Sequence, residues 1–176
     1  MNTVTVNETT NQVVVTTPGP AGPSGAAAVM VRGQISKMDS GTVAVGAQGV
    51  YVTTGLTATL DSSTANGMTL GTVNAFALKN TSGSTKLLRF YGSIDATTTS
   101  GNNQVLGIKL AYNGVAIDAT ECRAFTGSGG QEAKLVTSWI INVANNAEVS
   151  LFMAHISSTS NITFSRGRLV ASEVFA

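Results

Sequence analysis

The chain has 176 residues, of which 43% are hydrophobic and only 11% are charged, whereas about a quarter of the residues in a typical soluble domain are charged. Ten Lys and Arg residues against nine Asp and Glu residues leave a net charge of +1, which argues against the basic excess on which nucleic-acid binding depends. No stretch approaches the roughly 18 unbroken apolar residues of a membrane span, and the first residues lack the basic and apolar regions of a signal peptide. We therefore expect neither a nucleic acid nor a membrane as a partner.

Residues 1–17 contain two short valine-rich runs, 3–6 and 13–17, for which we predict β-strands. The segment is too small to carry a core of its own, so its valines need a partner surface, either sister chains or another protein. An extended, β-prone arm suits strand addition to a neighbouring sheet, and the alternative is a disordered terminus. We interpret 1–17 as an anchoring arm whose contact residues are Val4, Val6, Val13, Val14 and Val15.

The segment 18–28 holds all 3 prolines of the chain, and glycine stands at every third position from 19 to 25, followed by three alanines. Only glycine fits at the axis of a triple helix of polyproline-II strands, so this spacing predicts a collagen-like stalk in which three chains wind together. So short a triple helix persists only if its flanks are also trimeric, and the alternative is a stiff linker in a monomer. In the trimeric interpretation the stalk contacts come from Pro18, Gly19, Pro20, Gly22, Pro23 and Gly25.

We expect 29–41 to be a linker and 42–176 to be the folded body, a trimeric knob. In the body, apolar and polar residues alternate as they do in antiparallel strands with one solvated face. The dipeptide Asn113-Gly114 is favoured in type I′ hairpin turns, so 105–112 and 115–126 are predicted to pair. Because no helical period interrupts these strands, the fold class is predicted to be all-β, an antiparallel β-sandwich or jelly roll.

The segment 135–143 is apolar on both faces. This pattern indicates either a central strand buried between two layers or a strand whose outer face meets another subunit. The candidate subunit-interface residues are Trp139 and Ile141 in this segment and Phe175 near the C-terminus.

Residues that could carry chemistry are few. Catalysis needs several titratable groups brought together in a dry pocket, and the chain has one histidine, one cysteine and nine scattered acids. His155 is interpreted as a strand-end residue that faces solvent or packs on a neighbour, and Cys122 as a half-buried strand residue. A single cysteine also excludes an intrachain disulfide, which fits folding in a reducing cytoplasm. We expect no catalytic site, no metal site and no cofactor.

The junction of valine-rich arm and Pro-Gly-Pro run, residues 4–23, resembles the N-terminal arms of virion structural proteins of tailed bacteriophages. In that group a β-prone arm leads through a short collagen-like stalk into a C-terminal β-knob. The overall plan also resembles a collagen stem followed by a trimeric jelly-roll head, as in complement- and tumour-necrosis-factor-like proteins. The resemblance covers about one-seventh of the chain and leaves 40–176 without a recognisable signature.

This resemblance implies a non-enzymatic capsid decoration (cement) or head-fibre protein on the exterior of a virion, made in the cytoplasm of a host bacterium. Its partners would be two copies of itself and the phage major capsid protein, which the arm would engage at threefold or quasi-threefold sites. The alternative is a tail-fibre or receptor-binding protein that recognises a ligand on the host surface. An enzyme such as a glycan depolymerase would need paired carboxylates, and nothing in the sequence brings two of the acids together.

Overall fold

A computed structural model describes residues 30–98, 103–127 and 131–174 in full, and the backbone of 3–7 and 12–16. Apart from a one-turn 3-10 helix at Asp118–Thr120, every regular element in these ranges is a β-strand. The strands are β1 (Thr3–Asn7), β2 (Gln12–Thr16), β3 (Arg32–Lys37), β4 (Gly41–Val43), β5 (Val52–Thr53), β6 (Thr59–Leu60), β7 (Met68–Leu70), β8 (Ala77–Asn80), β9 (Lys86–Thr98), β10 (Val105–Tyr112), β11 (Val115–Ala116), β12 (Cys122–Phe125), β13 (Ala133–Val143), β14 (Glu148–His155) and β15 (Ile162–Glu173).

Thirteen of these strands form two antiparallel sheets that face each other. The six-stranded sheet has the order β13-β9-β15-β3-β6, and β4 also pairs with β15. The seven-stranded sheet has the order β11-β10-β14-β8-β7, and β12 and β5 pair with β10 and β14. From β8 to β15 the chain crosses repeatedly between the sheets, which is the winding of a jelly roll. The predicted all-β antiparallel sandwich is confirmed at this level.

The core lies between the two sheets and is built from alternating side chains. On β9 the inward residues Leu88, Phe90 and Ile94 are buried, while Arg89, Tyr91 and Ser93 face outward. The rings of Phe76 and Phe164 meet near the middle at a centroid separation of 5.9 Å. Burial of such side chains contributes about 1.5–3 kcal/mol each, so the period-2 pattern of the sequence dictates which face of each strand turns inward.

The hairpin predicted around Asn113-Gly114 is present. Both turn residues have left-handed backbone, with φ of 47° and 81°, as a type I′ turn requires. The returning chain pairs with β10 in two pieces, β11 and β12, because the 3-10 helix interrupts it.

The predicted linker 29–41 differs from the structure, because it contains β3, which lies between β15 and β6 in the six-stranded sheet. Its inward positions are Gly33 and Ile35. Glycine at 33 is required because a Cβ there would lie 2.6 Å from the Cβ of Met68. With glycine at an inward position, the alternation that marks a strand is lost from the sequence.

Two further elements differ from expectation. The segment 135–143 is not a central strand: β13 is an edge strand of the six-stranded sheet, with only its inward face in the core. The alternation in the sequence also predicts a last strand pair, 162–164 and 169–171, and these two runs instead form one continuous strand, β15. A β-bulge between Phe164 and Arg166 shifts its register and breaks the alternation that would have identified one strand.

Candidate interaction surface

The predicted arm residues lie on β1 and β2, which pair with each other as an antiparallel two-stranded sheet. In its register Val4 is opposite Val15, Val6 is opposite Val13, and Val14 is opposite Thr5. The stalk residues Pro18, Gly19, Pro20, Gly22, Pro23 and Gly25, and the interface candidate Phe175, lie outside the described residues.

The two other interface candidates lie on the edge strand β13. Trp139 is 40% exposed although its position in the strand turns it toward the space between the sheets, because an edge strand has no neighbour to cover that side. Ile141 is partly buried and packs against the core. The structure therefore leaves Trp139 open to solvent and turns Ile141 mainly to the interior.

Trp139 borders a group of exposed apolar side chains on the outer face of β9 and β13. Tyr91, Val136 and Ile140 are each 42–44% exposed. Tyr91 is opposite Ser138, so Val136 and Ile140 are its two diagonal neighbours across the strand pair. We call Tyr91, Val136, Trp139 and Ile140 the β9–β13 patch. Only Trp139 was predicted, although a segment that is apolar on both faces was the signal that could have identified Val136 and Ile140.

Next to the patch the surface is concave. Arg89, Ser138, Trp139 and Ile140 line a shallow depression of about 410 Å³, and Arg89 is the register partner of Ile140. An aromatic side chain, a β-branched aliphatic and an arginine around one depression are residue types that are enriched in the centres of protein interfaces.

His155 ends β14, as expected, and of the two expected environments it does not face solvent but packs against neighbouring residues. Its side chain is fully buried, with Nδ1 2.8 Å from the carbonyl oxygen of Ser160 and Nε2 3.2 Å from Oε1 of Gln104. The histidine shares the inward face of β14 with Leu151 and Met153, and this parity was visible in the sequence. Its role here is to join two loops at one end of the sandwich.

The densest charged cluster surrounds Lys109 on the seven-stranded sheet. Its Nζ lies 2.8 Å from the carboxylate of Asp118, 3.6 Å from that of Glu121, and 4.1 Å from the centroid of the Tyr51 ring. The Tyr51 hydroxyl donates to Glu121 at 2.7 Å. Burial of the ring is the larger cause, and this hydrogen bond the smaller cause, of a raised pKa of Tyr51. The hydrogen bond from Arg123, and to a smaller extent the one from Tyr51, lowers the pKa of Glu121. Every charge in the cluster has a partner, so we interpret it as a structural brace.

A buried acid on the same sheet, Glu148, holds a loop in place. Its carboxylate accepts hydrogen bonds from the Thr72 N–H at 2.6 Å, the Thr72 hydroxyl at 3.0 Å, and the N–H groups of Val73 at 3.2 Å and Asn74 at 3.4 Å. Burial opposes the charged form, but these donors outweigh it and hold the pKa of Glu148 below its ordinary value. With all its donors supplied by the loop, this carboxylate is also structural.

Within the ranges that the structure describes, no three His, Cys, Asp or Glu side chains come together as a metal site. No helix in those ranges is long and apolar enough to cross a membrane. Cys122 is partly buried on β12 and packs against the core.

No family model and no curated protein matches the sequence. Among solved structures, the chain is similar to that of the Eiger TNF from S. frugiperda, with a TM-score of 0.58 and 7% sequence identity over 83% of this chain and 93% of that one. At this identity the likeness shows the fold alone. The sandwich is thus a TNF-like jelly roll.

Proposed function

We propose that the chain is a non-enzymatic virion structural protein. In this proposal it forms a homotrimer of jelly-roll knobs on a short collagen-like stalk and decorates a bacteriophage capsid, where its N-terminal arm engages the major capsid protein. The capsid role is supported by the resemblance of residues 4–23 to phage arms and stalks. The trimer is supported by the glycine triplets and by the exposed surface of the knob.

The observation that carries the trimer is the β9–β13 patch. A triple helix as short as 18–28 needs a trimeric flank, and the patch offers the apolar surface that a sister knob would bury. Tyr91, Val136 and Ile140 adjoin one another on the outer face, and Trp139 shares the depression beside them with Ile140. Each of the four side chains is about two-fifths exposed. Burying apolar area contributes about 25 cal/mol per Å², and large aromatic residues at the centre of an interface commonly dominate its energy.

The position at which the described part of the knob begins also suits a stalk. The Val31 N–H donates to the Glu173 carboxylate at 2.8 Å, and Lys86 binds the same carboxylate at 2.9 Å. The next residue, Arg32, is paired with Ser172. Through these contacts a stalk that ends here would be attached directly to β9 and β15, which are neighbouring inner strands of the six-stranded sheet.

Sedimentation equilibrium of the full chain tests the trimer. We expect a species of three 17.9 kDa subunits at micromolar concentration. Replacing Gly19, Gly22 and Gly25 together by alanine should weaken association, because only glycine fits the triple-helix axis. Alanine at the exposed Gly46, where a Cβ would meet no other atom, is the control outside the stalk. A wild-type chain that sediments as a single subunit would refute the trimer.

Two measurements on virions test the capsid role. Deleting 1–17 should leave a trimer that no longer attaches to particles, and unchanged occupancy would refute the arm as anchor. The number of copies per purified virion separates the head from the tail: hundreds support a decoration protein, whereas a few would favour the tail-fibre or receptor-binding alternative.

A further inference from the structure

The outer face of the six-stranded sheet carries a second concave feature, which shares β9 with the β9–β13 patch but otherwise lies on β15 and β3. It is a groove of about 370 Å³ where β9, β15 and β3 run side by side. We call it the arginine groove, and its lining residues are Gln34, Ser36, Met38, Ser93, Asp95, Arg166, Gly167 and Arg168.

The bulge in β15 creates this groove. Phe164 faces the core, and without the extra residue the alternation would send Arg166 inward as well. The register shift between Phe164 and Arg166 instead places Arg166 and Arg168 together on the outer face, with Gly167 between them facing inward. A Cβ at 167 would lie 2.6 Å from the Phe164 ring, so glycine permits this arrangement. Bulges commonly re-aim side chains at functional positions.

Both arginines are held in place by the groove itself. The Arg166 Nε donates to the Asp95 carboxylate, which leaves its two terminal Nη groups for another acceptor. The Nη2 of Arg168 donates to the Gln34 side-chain oxygen, and no carboxylate in the described part of the chain pairs with Arg168. A guanidinium that is already oriented loses less conformational entropy when it binds a planar anion.

The floor and wall of the groove have the chemistry of a sugar site. Ser36 and Ser93 are the register partners of Arg168 on its two sides and line the same groove, so two hydroxyl-bearing residues lie beside Arg168. Met38, with 71% of its surface exposed, supplies an apolar wall. Hydroxyl groups that can donate and accept, next to an apolar surface, match the hydroxyl and C–H groups of a sugar ring.

The charge of the groove selects the anion. Asp95, Arg166 and Arg168 are its charged lining residues. The carboxylates of Asp95 and Glu132 both act on Arg166, which leaves Arg168 as the positive charge that no carboxylate in the described ranges pairs with. A carboxylate has one negative charge, and its two oxygens fit the fork of a guanidinium, whereas a phosphate monoester carries nearly two charges at neutral pH and would meet the Asp95 carboxylate. We propose that the arginine groove binds a carboxylate-bearing sugar residue of a polysaccharide, with Arg168 as its main anion contact.

Titration of the full-length protein with short oligogalacturonate chains tests this assignment. We expect Arg168→Gln to weaken binding at least about tenfold, since a hydrogen bond to a charged group is lost. Arg32→Gln is the matched control, because the exposed Arg32 lies on the same face of β3 as Gln34 and Ser36 but outside the groove, and it should bind as the wild type does. Methyl-esterified oligogalacturonate, which keeps the sugar and lacks the charge, should bind at least about tenfold more weakly to the wild type.

Several outcomes would overturn the assignment. They are an absence of binding by the wild type, equal losses in the two arginine variants, and undiminished binding of the methyl ester. The methyl-ester comparison uses the wild type alone, so it does not depend on whether a variant folds. A change in sedimentation on Arg168→Gln would also overturn it, because the groove would then hold a carboxylate of a sister subunit. The proposal is independent of the capsid role, since removal of 1–17 abolishes particle attachment in that role and leaves the groove unchanged.

Discussion

The outer faces of the two sheets differ although their strands alternate in similar ways. On the seven-stranded sheet, β10 and β14 are buried on both faces: Lys109, Ala111 and Ala154 point outward and are still covered. On the six-stranded sheet, β9 and β13 alternate between buried and exposed positions. The first sheet is therefore covered by its own chain, whereas the second is left open.

The covering of the seven-stranded sheet comes from loops held by charged groups. The Tyr51 ring lies over Gly107, where a Cβ would come within 3.0 Å of the ring, and it is fixed by Lys109 and Glu121. Thr72 and its neighbours are fixed by Glu148. The charges of this sheet thus serve internal packing, while the charges and apolar side chains of the six-stranded sheet are available for partners.

The largest effect should follow loss of the Glu148 carboxylate. Glu148→Ala leaves three N–H groups and a hydroxyl without their acceptor. Val73 is exposed, so water can replace its partner, but each donor that stays buried, such as the Asn74 N–H, costs about 1–3 kcal/mol. We expect a loss of roughly 3 kcal/mol or more in the free energy of unfolding, measured by denaturant titration. Glu132→Ala, at an exposed position, should change stability by less than about 0.5 kcal/mol. Similar losses in both variants would contradict the structural role of Glu148.

A matched pair of tyrosines compares the two outer faces directly. Tyr51→Ala removes the hydrogen bond to Glu121 and the contact with Lys109, and we expect a loss of about 2 kcal/mol. Tyr91→Ala, on the open face, should cost less than about 0.5 kcal/mol in the isolated subunit. Thermal unfolding in dilute solution measures both. Equal losses would mean that the open face is as important for folding as the covered one.

The open face predicts a third effect, on association. Ile140→Ser removes apolar area from the β9–β13 patch, and we expect subunit association to weaken about tenfold, equivalent to about 1.4 kcal/mol. Val115→Ser is the control, because Val115 is 71% exposed but lies on the seven-stranded sheet. Sedimentation at several concentrations gives both constants. If Val115→Ser has the larger effect, the patch is not the interface.

The sequence predicted the parts of this fold in which alternation is regular. β9 and the inner residues of β10 follow the period-2 pattern, and Asn113-Gly114 marks its own turn. Prediction failed where glycine or a bulge replaces an apolar residue. The sequence pattern predicts a linker where β3 lies, because Gly33 occupies an inward position. It predicts two strands in place of β15, because the bulge interrupts the alternation.

The candidate surfaces were harder to predict for a different reason. The exposure of a residue on an outer face depends on whether another segment of the chain crosses that face. The sequence pattern of β9 or β10 does not tell which of the two sheets the distant Tyr51 will cover. Trp139 was identified because it lies in a segment apolar on both faces. Arg166 and Arg168 were visible as a pair, but Asp95 and Gln34 lie more than 70 residues away in sequence and join them only through strand pairing.

The smallest effect concerns pH and distinguishes the two faces once more. The pKa of Glu148 is lower in the folded state than in the unfolded chain, so its stabilisation is complete above the ordinary glutamate pKa of about 4.3 and is lost as pH falls through the lower, folded value. The same direction holds for Glu121 and for Glu173. We therefore expect the wild type to lose stability steadily below about pH 4, whereas Glu148→Ala, with one such carboxylate fewer, should show a shallower decline. Parallel pH profiles for the two proteins would mean that the covering of the seven-stranded sheet does not depend on this charge.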